Sequence, residues 1–343
     1  MKLELIGLTV LWTFLYGYLI VASIDFGAGF YSLYSHWMGT KHQVHHVIER
    51  YLSPVWEVTN VFLIFFLVGF IGFFPETAYY FGTALLVPGS VAIILLGIRG
   101  SFYAFNTYGS TERPIFLTLY GLSGLFLPAS LATLMTLSEG GFLVEEAGTV
   151  RLDLVELFFS PYAWSVVSLA LVSVLFISAM FLTYYASRAK DENALSLVRK
   201  WALLWSGPTI IASLFIFVTM RGHNREHFEQ LVANGGWFTA SLLFFIIAVT
   251  LVVKKTRYGL AFIFVMLQFA FAFYGYGKSH LPYLLYPILK YTDHFTSPIM
   301  AKTLIAAFIM GLLVLIPSLV LLMRLFLFNG EYVRGEKNKG SEH

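Results

Sequence analysis

Three ionisable side chains stand where charge is costly. Asp25 closes an uncharged window over 5–24, Glu57 precedes one over 58–75, and Arg99 follows one over 77–98. An ionisable group inside a membrane span costs roughly 2.5–3.5 kcal/mol on insertion scales, so such a residue marks function by default. Thr59 follows closely, and Asn60, three residues after Glu57, projects from the same helix face. Two acids against one base leave a surplus carboxyl, and a carboxyl kept from water and unpaired holds a proton more readily than one in solution. The chemistry to expect is proton transfer. Asp25 and Glu57 are the candidate carriers, with Asn60, Arg99 and Thr59 as polar support. The plain alternative is a salt bridge at the membrane interface, with Arg99 snorkelling.

The histidines point away from redox chemistry in this chain. His36, His42, His45, His46, His223, His227, His280, His294 and His343 all lie outside the uncharged windows. A haem in a bilayer core takes His, Met or Cys ligands from helices. Met135, Met180, Met266 and Met310 have no His to partner them, and the chain has no cysteine. Neither a haem nor a metal is expected here, and thiol catalysis and disulfides are excluded. His42, His45 and His46 form an H-x-x-H-H run that reads as a solvated segment. His223 and His227, with Arg221, Arg225 and Glu226, read as a polar interface loop in which zinc would need more ligands. Gln268, the one amide in the middle of its window, reads as a helix–helix hydrogen bond.

The elements that must position these residues are membrane helices. Of 343 residues, 58% are apolar and only 12% charged, about half the share of a soluble domain, where roughly 25% is usual. Mean hydropathy is +0.76. A soluble enzyme, a disordered chain and a nucleic-acid binder are thereby excluded. Windows free of Asp, Glu, Lys and Arg run over 5–24, 58–75, 77–98, 114–138, 157–187, 201–220, 230–253, 258–277 and 303–323. Each approaches the roughly 20 residues a helix needs to cross the hydrocarbon core. The fold class is therefore all-α integral membrane protein with about nine spans, residues 1–330 forming one polytopic domain and 331–343 a polar tail. The first window lacks a small-residue cleavage site and reads as a retained helix.

Lys and Arg placement orients the helices. Fifteen of the 22 basic residues fall on the side that holds Lys41, Arg99 and Arg188. That side is read as cytoplasmic, with the N-terminus outside and the C-terminus inside. Asp25, Glu57 and Arg99 then meet at the cytoplasmic level of the first three spans. Pro88, Pro128, Pro208 and Pro317 read as kinks repaired by neighbouring helices. The acidic loop 139–156, with Glu139, Glu145, Glu146, Asp153 and Glu156, fits the outer side. No phosphate-binding loop, dinucleotide fingerprint or nucleophile elbow is present.

These residues resemble a known family. "SIDFGAGFYSLY" from Ser23, "PVWEVTNVFLIFFLVGFIGFFPETAYYFG" from Pro54 and "LLGIRGSFYAF" from Leu95 look like subunit II of cytochrome bd-type quinol oxidases. The resemblance extends over nearly the whole chain and is most specific over 21–110. It implies one half of a heterodimer in the bacterial cell membrane. Subunit I would hold two b-type haems, haem d and the quinol site, and a small single-helix subunit can join them. Such a complex oxidises quinol and reduces O₂ to water with protons from the cytoplasm. Asp25 would match the second acid of the family's Asp-Gly-Phe-Asp run, and Glu57 the acid after Trp56. Departures are Ala22 in place of the first acid, Thr59 ahead of Asn60, and Ala104 and Asn106 where an acid beyond Arg99 is expected. A proton-coupled secondary transporter is the runner-up reading, but its acids belong at the midplane. A purely structural partner, with both acids merely pairing Arg99, is the third.

Overall fold

The computed structural model describes residues 3–108, 114–146 and 149–327, and their side chains except at 41, 45–46, 49–58, 103–108, 114, 145–146, 149 and 326–327. The polar tail lies outside the described residues. The helices are α1 (Leu3–Trp37), α2 (Lys41–Phe73), α3 (Pro75–Ala84), α4 (Leu86–Tyr108) and α5 (Pro114–Ser138). A hairpin, β1 (Leu143–Glu146) and β2 (Thr149–Leu152), precedes α6 (Leu154–Phe159). Then follow α7 (Pro161–Ala189), α8 (Glu192–His223), α9 (Arg225–Ala233), α10 (Gly235–Val253) and α11 (Tyr258–His280). A second small hairpin, β3 (Tyr283–Leu285) and β4 (Leu289–Lys290), leads to α12 (Pro298–Leu322).

Among the described residues, seven helices are each long and apolar enough to cross a membrane: α1, α5, α7, α8, α10, α11 and α12. Among the described residues α3 and α4 together make an eighth candidate, and these are bent by 81°. The expected kink at Pro88 is thus a full break. A Pro88 ring inside a continuous helix would strike the carbonyl of Ala84, four residues earlier, and Ala84 is the last residue of α3. Ser130 of α5 donates to the Pro88 carbonyl at 2.6 Å, a partner brought in from the next helix. The window over 58–75 falls at the end of α2, which runs on as helix to Phe73. Pro128, Pro208 and Pro317 do lie inside continuous helices.

α7 is the most enclosed helix, with 67% of its apolar window buried, against 6% for α12. α1 and α2 pack with α4 and α5 on one side of α7, while α8, α10 and α11 complete the other. The apolar faces of α8, α10 and α12 stay exposed, as at Ile211, Val218, Leu243 and Leu313. In water such surface would be a liability; in a membrane it faces lipid or a partner subunit.

Polar side chains clamp the helix pairs inside this apolar frame. Tyr31 of α1 donates to the Leu175 carbonyl at 2.8 Å and stacks on Trp201, and Ser178 of α7 donates to the Ile24 carbonyl at 3.0 Å. The Tyr16 hydroxyl donates to the Met266 carbonyl of α11 at 2.7 Å. Gln268 is buried, and its backbone carbonyl, not its amide, accepts from Ser241 at 2.8 Å. Gly7 lies against Phe73, Gly69 against Leu11 and Gly17 against Phe62. This antiparallel register carries backbone position 57 to the level of Ala22–Ser23, within about one turn of Asp25.

One glycine is fixed by close approach. A Cβ at Gly124 of α5 would sit 2.3 Å from the carbonyl oxygen of Phe26, which is backbone and cannot yield, and 3.3 Å from Arg99 Nη1. Gly124→Ala should therefore push α5 off α1 and cost about 1–3 kcal/mol, the usual range for overpacking. Thermal unfolding of the purified complex checks this.

Candidate functional site

α1, α4 and α5 build the first site. α1 runs on to Trp37, so Asp25 is not at a frayed end; it lies twelve residues, about 18 Å, before the helix stops. Asp25 is 2% and Arg99 0% exposed. Arg99 Nη2 donates to Asp25 Oδ2 at 2.9 Å and to the Asp25 carbonyl at 3.1 Å. Its Nη1 donates to the Tyr120 carbonyl at 3.2 Å. The guanidinium carbon stands 4.3 Å from the centre of the Tyr120 ring and 5.0 Å from that of Phe26. The planar cation is thus gripped by a carboxylate in its plane and aromatic faces around it, an arrangement a lysine could not reproduce. Snorkelling is excluded by this burial. The Tyr120 hydroxyl donates to Asp25 Oδ1 at a long 3.4 Å.

Polar capacity is left over around this pair. Arg99 Nε and the Tyr18 hydroxyl are buried without a hydrogen-bond partner among the described residues. Tyr18 lies seven residues before Asp25 on one face of α1. Of the other expected site residues, Thr59 is buried and Asn60 half-buried on α2. The side chain of Glu57 lies outside the described residues, as do those of His45 and His46. His42 is exposed on α2.

A second cluster stands at the opposite end of the bundle, where α5, α8 and α11 finish. The loop 139–156 was expected to be an outer acidic loop and 221–229 a polar interface loop. Within these two segments Glu139 and His227 are buried together, so they are not the solvated polar residues that reading implies. The Glu139 carboxylate accepts from His227 Nδ1 at 2.8 Å, Asn224 Nδ2 at 3.0 Å and the Tyr276 hydroxyl, and His280 Nδ1 stands 3.3 Å away. Burial by itself would raise the Glu139 pKa, but the hydrogen bonds of His227 and His280 hold it well below the usual carboxylate range. Asn224 has two tasks. Its Oδ1 caps α9 by accepting from the His227 amide at 3.0 Å, and its Nδ2 holds the carboxylate.

The loop after α5 reaches this position through Gly140 and Gly141, both at positive φ (77° and 82°), where a side chain would be strained. His223 fastens it, bonding the Gly140 carbonyl at 3.1 Å while stacked between Tyr162 and Phe142. No local motif announces this cluster. Its signal is topological: apolar windows ending near 138, 220 and 277 all finish on one side, so ionisable residues just beyond them share a level.

A polytopic helical membrane protein, built around an ion pair buried between its first helices, is the class that this fold and site define. Within that class the chain belongs to the family of cytochrome bd terminal oxidase subunit II, whose model matches residues 3–326. It is 32% identical over 342 residues, 97% of its length and 98% of the relative's, to the putative cytochrome bd menaquinol oxidase subunit II of Bacillus subtilis strain 168. It is also similar to a chain in the structure of bd oxidase from Geobacillus thermodenitrificans, at TM-score 0.85 and 61% identity, covering 96% of this chain and 100% of that one. The protein is therefore a multi-pass bacterial membrane protein and part of a cytochrome bd oxidase, an oxidoreductase. Membership implies a subunit I as partner, haem in that partner and quinol as the substrate of the complex.

Proposed function

We propose that this chain is the haem-free half of the oxidase, and that it supports subunit I and supplies protons for O₂ reduction from the cytoplasmic side. The nine-span plan, with the N-terminus outside, belongs to the same reading. The observation that carries it is the polar surplus around Asp25. The Tyr18 hydroxyl and Arg99 Nε are buried beside the ion pair without a hydrogen-bond partner among the described residues. Buried polar groups in that state are the ones water serves, and water beside a carboxylate is what proton transfer through a membrane needs.

Arg99 is committed to Asp25, so the surplus carboxyl of the sequence argument is Glu57. The α1–α2 backbone register, extrapolated to position 57, supports this reading. Glu57 takes up the proton, and Asp25, Tyr18 and Arg99 hold water at the inner end of the path. Quinol, as menaquinol in the Bacillus relative's name, gives its electrons to haem in subunit I. The absence of any histidine from the apolar windows supports the haem-free assignment.

The test is Glu57→Gln in the intact complex, with oxygen consumption and proton uptake followed on reconstituted vesicles. A general acid–base group of this kind contributes about 10²–10⁴-fold. A route with one essential carrier should slow at least tenfold, with the haem spectrum intact. Unchanged rates for Glu57→Gln would leave the purely structural reading in possession.

A further inference from the structure

We propose that Glu139, His227 and His280 form a binding site for a divalent metal ion of the zinc class, at the end of the bundle where α5, α9 and α11 meet. One ligating atom from each of the three lies within 4.8 Å of the others. Oε1 of Glu139 stands 2.8 Å from His227 Nδ1 and 3.3 Å from His280 Nδ1. Zinc bonds of about 2.0–2.1 Å in tetrahedral geometry put neighbouring ligands about 3.3 Å apart. The two carboxylate–imidazole separations already lie within about half an ångström of that value, and the two imidazoles offer ligand atoms within 4.8 Å of each other.

The donor set selects the ion. Two imidazoles and one carboxylate suit zinc and its neighbours in the transition series, while calcium and magnesium want oxygen throughout. Three protein ligands leave a fourth position for water or for the Tyr276 hydroxyl, which already reaches Glu139. The supporting contacts are present too. Asn224 fixes the carboxylate through Nδ2 and the His227 backbone through Oδ1. Such outer contacts orient metal ligands and raise affinity.

The proton count closes without an added acid or base. Without metal, each neutral imidazole carries its proton on Nδ1 and donates it to the ionised carboxylate. With metal on Nδ1, the same proton sits on Nε2. Both Nε2 atoms are buried and have no partner among the described residues. Both rings line a small cleft, with Asn224, Gln230, Ser279 and Tyr283, that has room for about one water. A water there accepts the Nε2 protons once the metal is bound. Glu226, also on the cleft, adds a second negative charge near the ion.

The experiment uses the intact oxidase complex, stripped with a chelator, reloaded with zinc and washed. Metal content is measured for the wild type and for His227→Gln and His280→Gln, together with zinc X-ray absorption of the wild type. The wild type should retain one equivalent more than either variant, with imidazole scattering and bonds of about 2.0–2.1 Å. The zinc dissociation constant should rise at least tenfold in each variant. Equal zinc in the wild type and both variants overturns the site. If neither variant assembles, the wild type decides: stoichiometric zinc with imidazole scattering supports the site, and its absence overturns it. Oxygen consumption is not the readout, so failure here leaves the proton route untouched.

Discussion

Asp25→Leu should cost about 3–5 kcal/mol and deplete the assembled complex, because it strands a guanidinium inside the bundle. Among the described residues, Arg99 would keep the carbonyls of residue 25 and Tyr120 and the two aromatic faces. A guanidinium cannot discharge by giving up a proton. The reverse change, Arg99→Met, should be milder, because a lone carboxyl in apolar surroundings can neutralise itself by binding one. The double variant Asp25→Leu/Arg99→Met should recover most of the loss, since a buried pair is often replaced by apolar residues at little cost. Chemical unfolding of the purified complex, run as a double-mutant cycle, gives all three numbers. The ranking sought is Asp25→Leu worst, Arg99→Met intermediate and the double variant near wild type.

The same cycle separates structure from proton transfer. The double variant removes Asp25 while relieving the stranded charge. If it assembles and still reduces O₂ at the wild-type rate, Asp25 is a packing residue and the route runs through Glu57 alone. If it assembles but is slow, Asp25 belongs to the path.

Much of this was legible in the sequence, for a physical reason. A span must satisfy its backbone internally, so apolar windows free of charge become helices. Asp25 and Arg99 stood out because nothing else near them was charged. Other features depended on contacts far apart in the chain. Pro88 broke a helix where Pro128, Pro208 and Pro317 did not. A proline says that a helix is weakened, whereas the surroundings decide whether it bends or stops. The small hairpins were missed because strands of two to four residues carry too little alternation to read. His227 reads as part of a polar interface loop, and His280 only as a residue outside a window, because a histidine outside a span has a default partner in water. Only the closing of three helix ends over Glu139 removed that water.

Glu139→Ala should be the other severely destabilising change. It deprives His227, Asn224 and Tyr276 of their common acceptor, and it takes away the carboxylate that faces His280 Nδ1. Each buried polar group left without a partner costs about 1–3 kcal/mol, and the loss should reach about 3–5 kcal/mol even if a water enters the space. Glu139→Gln should cost less, because an imidazole can turn its lone pair toward the new amide by changing tautomer.

Acid provides a check on the same carboxylate. The folded-state pKa of Glu139 is depressed below its ordinary value of 4.5. Its contribution to stability is therefore fully present above pH 4.5 and is lost as pH falls from there toward the folded value. Unfolding curves taken in chelator at pH 7 and below pH 4.5 should bring wild type and Glu139→Ala together on the acid side. A gap that stays constant with pH would mean that Glu139 acts by filling space and not by its charge.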